Sequence, residues 1–306
     1  MGDASPAAAG GRRTAVDLLR RRHVAAHPVA FEEHECGRGA SGSLAAAASE
    51  LPRPSRSYAD RMARSARRLV ARGRAAAESA RLSRTARRVK RERLTYLSVG
   101  KLRSLEGALR AVLRAEVTGD VIECGVALGG SGIVLAHGLP EGRVFHGFDL
   151  FGTIPAPTAR DPGEAHARYA RISAGKAEGL GPGDRYYGYV DDLLGQVEAS
   201  FARHGVPPAP GRVELHRGLF EDVLQIEAPV ALAHVDADWH DPVSCCLARI
   251  GPQLSRGGMI VVDDYNDYGG CRTACHEFLA GTQDMRVLRA RPQLVIQRLA
   301  DTPPPS

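Results

Sequence analysis

The chain has 306 residues and a formal net charge of +6, and it is long enough for one large α/β domain with an appendage. The charge is uneven, because residues 1–100 hold 21 Arg or Lys against 9 Asp or Glu whereas residues 101–306 hold 20 against 26. No stretch approaches the roughly eighteen apolar residues of a membrane helix, and no apolar secretory core follows the N-terminal basic residues. We therefore expect a cytoplasmic protein that does not span a membrane.

Residues 1–92 are predicted to be an Arg/Ala-rich extension, followed by a folded domain over 93–300 and a tail over 301–306. The extension has few large apolar residues, so much of 1–55 is expected to lack a packed core, while 57–93 can form a helix. Its charge permits contact with nucleic acid, but no aromatic residues for base stacking are interleaved with the arginines. The whole chain prefers arginine, with 38 Arg against 3 Lys, so nucleic-acid binding is a disfavoured alternative.

The six cysteines, at positions 36, 124, 245, 246, 271 and 275, are predicted to be small buried residues in a reducing compartment. Neither Cys-x-x-Cys nor zinc-finger spacing occurs. Cys271 and Cys275 lie one helical turn apart, but further soft metal ligands do not stand near them in the sequence.

Strand and helix patterns alternate from about residue 94 onward. The first strand is predicted over Asp120–Gly125, followed by a glycine-rich turn and a helix to about His137. A second strand covers Arg143–Asp149, and Val190–His204 has the apolar spacing of a helix. Further strands are predicted over Arg212–His216, Val230–Val235 and Met259–Val262, with helices over Val243–Leu254 and near Arg272–Leu279.

Two short apolar runs, Met285–Leu288 and Gln293–Ile296, flank a Pro-containing turn and predict a closing antiparallel pair. Strands that alternate with helices predict an α/β fold with a mainly parallel sheet. Seven strands ending in an antiparallel hairpin are typical of Rossmann-like class I S-adenosylmethionine-dependent methyltransferases. The fold class is predicted by that analogy, which does not by itself fix a function.

The connection over residues 152–189 is long for a compact domain, and loops of this length are commonly lids or disordered segments. It contains polar and aromatic side chains, namely His166, Arg168, Tyr169, Lys176, Tyr186, Tyr187 and Tyr189. Such side chains suit a lid over a polar organic acceptor, with a merely solvated insertion as the alternative.

Four carboxylates follow two of the predicted buried strands. Asp236 and Asp238 come after Val230–Val235, and Asp263 with Asp264 comes directly after Met259–Val262. In a parallel sheet the carboxyl ends of neighbouring strands face one crevice, so these charges are expected to meet. Like charges held close are unfavourable unless a cation lies among them or some are protonated, and a hard divalent cation prefers oxygen ligands.

The first two strands end in features that suit an adenosine ligand. Glycines at 125, 129, 130 and 132 permit close approach of the backbone, and the following helix offers its N-terminal N–H groups to an anion. Asp149 ends the second strand, where a carboxylate can accept both ribose hydroxyls. After the third strand, Phe220 can form an adenine wall and Asp222 a polar contact. The glycine spacing after the first strand does not match the Gly-x-Gly-x-x-Gly fingerprint of dinucleotide binding, which disfavours an NAD-dependent oxidoreductase.

Taken together, several motifs in order resemble the macrocin O-methyltransferase (TylF/MycF) family of metal-dependent sugar O-methyltransferases, over roughly residues 92–300. The matching segments are Leu94–Ser98, Val121–Ser131, Gly147–Gly152, Tyr186–Leu193, His234–Trp239 and Val262–Arg272. The resemblance implies that Asp238, Asp263 and Asp264 hold Mg2+ and that Asp238 is the general base. It also implies an S-adenosylmethionine pocket lined by Thr95, Tyr96, Glu123, Gly125, Gly130, Ser131, Asp149, Phe151 and Asp236.

Two positions depart from the family pattern. Ala127 and Leu128 replace a usual Trp-Arg pair, which puts one cofactor or acceptor contact in doubt. His240 stands where Tyr is common, and it is a rival base because an unperturbed histidine titrates near neutrality.

The resemblance predicts methyl transfer to a hydroxyl of a sugar-bearing small molecule in natural-product biosynthesis. A catechol-type O-methyltransferase acting on an aromatic diol is the alternative that uses the same metal chemistry. The oligomeric state stays open, a homo-oligomer included.

Overall fold

The computed structural model describes residues 80–300 of the chain. The helices are α1 (Arg84–Arg91), α2 (Val99–Arg114), α3 (Gly130–Gly138), α4 (Gly163–Ser173), α5 (Leu193–Arg203), α6 (Phe220–Val223), α7 (His240–Gln253) and α8 (Gly269–Ala280). The strands are β1 (Asp120–Cys124), β2 (Phe145–Asp149), β3 (Val213–Arg217), β4 (Val230–Val235), β5 (Leu254–Val262), β6 (Met285–Arg289) and β7 (Leu294–Arg298). Two 3-10 turns cover Tyr187–Tyr189 and Asp264–Asn266.

The strands form one seven-stranded sheet in the order β3-β2-β1-β4-β5-β7-β6. The first five strands are mutually parallel, whereas β7 pairs antiparallel with both β5 and β6. The chain reverses direction across the sheet between β1 and β4, which is the position where ligands bind in open α/β folds. The predicted mainly parallel sheet with a C-terminal antiparallel hairpin is therefore confirmed.

The register of the central strands brings their carboxyl ends into line. Cys124 of β1 pairs with Val235 of β4, and Val235 pairs with Val262 of β5. The residues that follow these three strands therefore emerge side by side at one edge of the sheet. This alignment places the two acidic pairs in the same crevice.

Two layers of helices cover the sheet, because successive strand residues point to opposite faces. One face carries a core with Leu105 of α2, Ile133 of α3 and Phe201 of α5, packed against strand residues such as Val121. The other face carries Leu247 of α7 and Cys275 of α8 against strand residues such as Ile122 and Ile260. Each fully buried aliphatic side chain of this kind contributes roughly 1.5–3 kcal/mol of transfer free energy.

Four cysteines, Cys124, Cys246, Cys271 and Cys275, are buried in this second core, as predicted, and Cys245 is half-buried. Cys36 lies outside the described residues. Over residues 80–300, helices with the length and hydrophobicity needed to cross a bilayer do not occur.

The N-terminal side of the predicted domain boundary contributes a helix to the fold. Ser83 caps α1 by accepting the N–H of Ala86 at 3.0 Å, so the helix predicted over 57–93 begins, within the described residues, only at Arg84. Leu82, Ala86 and Val89 are buried in the first core. The boundary at residue 92 stays a prediction; residues 1–79 and 301–306, with the structure expected there, lie outside the described part.

Two elements differ from the sequence-based prediction. Strand β5 begins at Leu254, five residues before Met259, because Leu254 pairs with Val230 ahead of an irregularity in the ladder. Helix α4 lies inside the connection that was predicted to be a long polar loop. Only Ala165 and Ile172 of α4 are buried, so its apolar periodicity is too weak to read from the sequence.

Candidate active site

A crevice runs along the carboxyl ends of β1, β2, β4 and β5. It consists of two cavities that share part of their lining, one of about 420 Å³ and one of about 270 Å³, here called cavity A and cavity B. The residues common to both are Gly125, Asp149, Ile154, Tyr187, Asp236 and Asp238. Cavity A has apolar walls that include Phe220 and Trp239, whereas cavity B contains acidic, basic and phenolic side chains.

The turn after β1 is held in place by Asp149 at the end of β2. One Asp149 carboxylate oxygen accepts the backbone N–H groups of Val126 and Ala127 at 2.7 and 2.8 Å, and the other accepts that of Phe151 at 2.6 Å. Burial raises the pKa of Asp149, and these three hydrogen bonds oppose the rise. Asp149 thus fixes the glycine-rich turn while its carboxylate still lines both cavities.

Gly125 is required where β1 meets β4. Its φ of 91° lies in the left-handed region, and a Cβ at this position would overlap the main-chain oxygen of Asp236. The close approach brings the two strand ends together, so the loop that carries Asp236 lies directly beside the glycine-rich turn.

The segment before α2 supplies one wall of cavity B. Tyr96 lines this cavity, whereas Thr95 is buried and its hydroxyl accepts the N–H of Leu97 at 3.1 Å. Gly130 donates its N–H to the oxygen of Leu94 at 2.8 Å, and Ser131 is buried. Of these four predicted cofactor residues, Tyr96 reaches the crevice and the other three lie in the layer that supports it.

Three of the four predicted acids form a compact cluster. Carboxylate oxygens of Asp236, Asp263 and Asp264 lie within 4.8 Å of one another. Asp238 stands beside them with its backbone N–H donated to Asp264 at 3.1 Å, in a left-handed conformation with φ of 55°. The sequence resemblance names Asp238 in the metal set, whereas the acid that joins Asp263 and Asp264 within this distance in the structure is Asp236.

The cluster holds more negative charge than the cations around it balance. Burial and the charge of Asp263 raise the pKa of Asp238 to about 7, against the opposing charges of Arg168 and Lys101. Burial and the neighbouring carboxylates hold the pKa values of Asp236 and Asp264 well above their usual range. Closely spaced oxygen donors with an excess of negative charge are what a hard divalent cation requires, so these residues fit Mg2+.

Lys101 of α2 is a member of the site that the sequence reading missed. Its ammonium group lies 2.6 Å from one Asp263 oxygen and 2.7 Å from Asp267. Burial alone would lower the pKa of Lys101, but the adjacent charge of Asp263 raises it above the usual value. The available signal was composition, because a chain with 38 Arg keeps Lys at only three positions, 90, 101 and 176.

Gln293, at the start of the terminal hairpin, is the second missed residue. Its side-chain N–H donates to the other Asp263 oxygen at 2.7 Å, so both oxygens of this acid have protein partners. The Gln293 oxygen is buried and has no hydrogen-bond partner among the described residues. The sequence placed Gln293 on a strand, and a local pattern does not reveal that the strand lies next to β5.

His240, the rival base, does not reach the crevice. It is fully buried, and its ring nitrogens lie 2.8 Å from Asp241 and 3.0 Å from Glu277. Its backbone N–H donates to Asp161 at 2.8 Å. Since His240 lines neither of the two cavities described, its placement favours Asp238 as the base.

Of the other predicted cofactor residues, some line a cavity and some do not. Phe220 lines cavity A, but Asp222 is exposed and Glu221 is the carboxylate of that turn which reaches the cavity. Phe151 is buried between Leu150 and Gly152, which do line cavity A. Glu123 of β1 is fully buried and lies 2.9 Å from His234 of β4. It lines neither cavity A nor cavity B.

The connection over 152–189 lines both cavities, since Ile154 and Tyr187 face each of them, and part of its polar residues line cavity B. Arg168, Tyr186 and Tyr187 line the cavity, and the Arg168 guanidinium lies 5.5 Å from the centre of the Tyr186 ring. Burial raises the pKa values of both tyrosines, so they are neutral phenols. Tyr189 instead stabilises the connection, because its hydroxyl donates a hydrogen bond to the main-chain oxygen of Ile172 at 2.6 Å.

Comparisons with known proteins agree with this architecture. The family model described as macrocin O-methyltransferase (TylF) matches residues 48–287. The 8-demethyl-8-(2,3-dimethoxy-alpha-L-rhamnosyl)-tetracenomycin-C 4'-O-methyltransferase of Streptomyces olivaceus is 30% identical over 194 residues, or 60% of this chain and 67% of that protein. The mycinamicin III 3''-O-methyltransferase of Micromonospora griseorubida is 29% identical over 195 residues, or 60% of this chain and 69% of that one.

A solved structure supports the fold. The O-methyltransferase NovP superposes with a TM-score of 0.54 at 22% sequence identity, covering 67% of this chain and 82% of that one. At this identity the likeness concerns the fold alone, which is that of a Rossmann-like methyltransferase.

Proposed function

Because the chain belongs to the macrocin O-methyltransferase (TylF) family, we propose that it methylates a sugar hydroxyl of a glycosylated natural product, with S-adenosylmethionine as donor and Mg2+ as metal. Family membership makes the chain an O-methyltransferase and sets the oxidoreductase alternative aside. The observation that carries the proposal is the acid cluster at the junction of an apolar cavity and a polar one.

Cavity A suits the adenosine part of the donor. Its apolar walls at Phe220 and Trp239 can enclose a flat base, and Asp149 stands at the junction with cavity B, where ribose hydroxyls would meet a carboxylate. S-adenosylmethionine supplies a methyl group on a sulfonium centre. Asp149 and Asp236 line the junction, where their carboxyl oxygens can face the positive sulfonium centre.

The metal site uses the acids at the ends of β4 and β5. Asp263 and Asp264 would hold Mg2+ together with one carboxylate of the Asp236–Asp238 loop. Asp236 has an oxygen in reach in this structure, and the sequence resemblance implies Asp238. Mg2+ supplies positive charge that stabilises a hydroxyl as it loses its proton, and it orients that group.

Asp238 is the proposed general base. It lines both cavities, so its carboxylate is accessible to an acceptor in cavity B and to the methyl donor at the junction. A positioned base contributes typically about 10²–10⁴-fold to such a reaction. Correct placement of donor and acceptor in adjoining cavities supplies the other large contribution.

The acceptor class follows from the polar character of cavity B. Arg168, Lys101 and the phenols of Tyr96, Tyr186 and Tyr187 offer hydrogen bonds of the kind sugar hydroxyls use. A catechol acceptor would favour a large apolar gate over the metal. The aliphatic residues that line cavity B are Leu97, Ala127, Ile154 and Ile172, interspersed with charged and phenolic side chains, which favours a sugar instead. The named activity of the Streptomyces olivaceus relative, on a rhamnosyl tetracenomycin, supports the same class.

Thermal-shift measurements with S-adenosylhomocysteine, with and without Mg2+, test the proposal. We expect each ligand to raise the melting temperature by roughly 5–10 °C at a hundredfold excess over its Kd. Asp264→Asn should lose the Mg2+ response and keep the response to S-adenosylhomocysteine, while exposed Asp191→Asn keeps both.

Asp236→Asn and Asp238→Asn then separate the two candidates for the third ligand, since only the ligand's variant loses Mg2+ affinity. Absence of any response of the wild-type chain to S-adenosylhomocysteine would contradict the donor assignment. An unchanged Mg2+ response in Asp264→Asn would contradict the metal assignment.

A further inference from the structure

A second group of metal-ligating side chains lies on strands β2 and β3, in a cavity separate from the active-site crevice. His146 lies near the start of β2, and Glu214 and His216 lie on the edge strand β3. Glu214 and His216 are two residues apart and therefore point to the same face of the sheet. The parallel register sets His146 directly beside Glu214, so all three side chains meet on one face.

The three donor atoms are already close together. Nδ1 of His146 lies 3.3 Å from Nε2 of His216 and 3.6 Å from Oε2 of Glu214. The His216 nitrogen and the Glu214 oxygen are 4.0 Å apart. Zinc binds histidine and carboxylate donors at about 2.0–2.2 Å, so donors on a tetrahedral zinc ion lie roughly 3.3–3.6 Å from each other. The observed triangle needs only a small contraction to match.

Further contacts orient two of the donors. Asp120 accepts the N–H of Val144 with one oxygen at 2.9 Å, and its other oxygen faces Nε2 of His146 at 3.6 Å. Glu214 accepts the N–H of Gly211 with Oε1 at 2.8 Å, which leaves Oε2 for the cluster. A carboxylate behind a metal-binding histidine is the usual arrangement that fixes the ring and its tautomer.

The ring of His216 is oriented by stacking on Phe148, with centroids 4.4 Å apart and planes inclined by 13°. The cluster opens into a cavity of about 340 Å³, which it shares with the loop before β4. The side chains of His146, Glu214 and His216 are 22%, 34% and 34% exposed, so an ion can reach them from solvent. One side of the cluster is therefore open to solvent, from which a fourth ligand would come.

We propose that His146, Glu214 and His216 form a binding site for a divalent transition metal ion that prefers imidazole ligands. The expected ion is Zn2+. This site differs in chemistry from the all-carboxylate site in the active-site crevice, since imidazole nitrogen suits zinc and carboxylate oxygen suits magnesium. The ion ties the edge strand β3 to β2, and it does not touch the proposed reaction.

The test uses the full chain, freed of metal by a chelator and titrated with Zn2+ by calorimetry and with Co2+ by visible absorption. We expect one equivalent of Co2+ to give the intense absorption of a tetrahedral ion with nitrogen ligands. His216→Gln should lose that equivalent and its spectrum, and the nearly isosteric Glu214→Gln should weaken binding strongly. Asp120→Asn acts through His146 and should reduce affinity by about 10–100-fold.

Matched controls assign the ion to this cluster. His137→Gln changes an exposed histidine on α3 and should leave the titration unchanged. Asp264→Asn should retain the cobalt spectrum, which separates this site from the acid cluster. All variants should keep their stabilisation by S-adenosylhomocysteine, which verifies folding. A wild-type chain without a tetrahedral cobalt signal, or folded His216→Gln and Glu214→Gln variants with the wild-type signal, would overturn the proposal.

Discussion

At the scale of single residues, Asp238 links the proposed chemistry to the stability of the fold. Burial and the charge of Asp263 raise its pKa to about 7, whereas an unfolded chain leaves it near 4. A group with a raised folded-state pKa stabilises the fold in its protonated form, and this contribution is lost as the pH rises from about 4 through 7. The metal-free protein is therefore expected to be less stable at pH 8 than at pH 5.

Asp238→Asn should stabilise the metal-free protein by about 2–4 kcal/mol at pH 8, because the amide cannot ionise. The gain should fall by half or more at pH 5. Asn tolerates the left-handed backbone at this position, where φ is 55°, so the loop geometry is kept. Urea unfolding in EDTA at both pH values measures the effect, with Asp191→Asn as a control. Equal gains at the two pH values would contradict the charge argument.

A second prediction at the scale of single residues concerns Gly125, with Gly142 as the matched control. Both have positive φ, 91° and 81°, but a Cβ at Gly142 meets nothing within 4 Å whereas one at Gly125 overlaps the main chain of Asp236. Gly142→Ala should cost about 1–2 kcal/mol for the left-handed backbone alone. Gly125→Ala should cost about 3 kcal/mol or more and abolish binding of S-adenosylhomocysteine. Similar urea midpoints for the two variants would refute the close approach.

The acids of the site could be predicted from the sequence, because each stands directly after a buried strand. Lys101 and Gln293 could not, since they reach Asp263 from α2 and from the terminal hairpin, elements far away along the chain. His240 was a rival base on residue type alone. Its exclusion from the crevice depends on Asp241 and Glu277, contacts that local patterns do not reveal.

At the scale of elements, helix α4 should control the acceptor rather than the donor. Arg168 faces cavity B from this helix, whereas Arg171 on the same helix is exposed. We expect Arg168→Ala to raise the KM for the acceptor at least about tenfold, as loss of a charged hydrogen bond of 1.5–3 kcal/mol implies. The Kd for S-adenosylhomocysteine should change less than about twofold.

Arg171→Ala is the matched control and should leave both constants unchanged. Calorimetry with S-adenosylhomocysteine and steady-state kinetics with a glycosylated acceptor separate the two effects. A larger change in the donor constant than in the acceptor constant would show that this segment is not an acceptor lid.

Most strands were predictable because their apolar runs are continuous and are bounded by glycine or charged residues. The start of β5 was not, since Leu254 joins the sheet ahead of a polar, glycine-containing irregularity that reads as a loop. Helix α4 was missed for a related reason, because it lies on the surface and buries only Ala165 and Ile172. Short elements with little burial carry little periodic signal.

At the scale of the whole molecule, α1 is expected to be part of the folding unit. Leu82, Ala86 and Val89 are buried against the rest of the fold, and Lys90 donates to the oxygen of Leu97 at 2.7 Å. Deletion of residues 1–93 should therefore cost roughly 3 kcal/mol or more through lost apolar burial. Deletion of residues 1–79, which keeps α1, is the matched truncation, so the difference in melting temperature between the two proteins isolates the contribution of residues 80–93.

Circular dichroism melts of the two truncated proteins measure this difference. Equal melting temperatures would mean that α1 adds nothing to stability. The folding unit would then begin near the predicted boundary at residue 92, despite the packing of α1 against the fold.

The central claim concerns the entire crevice, and transfer of a labelled methyl group tests it most directly. S-adenosylmethionine labelled in the methyl group is incubated with glycosylated natural products and their matched aglycones, in EDTA or in Mg2+. We predict label in the glycosides alone, lost in EDTA and restored by added Mg2+. Label in the aglycones, or equal transfer to the glycosides in EDTA, would contradict the account.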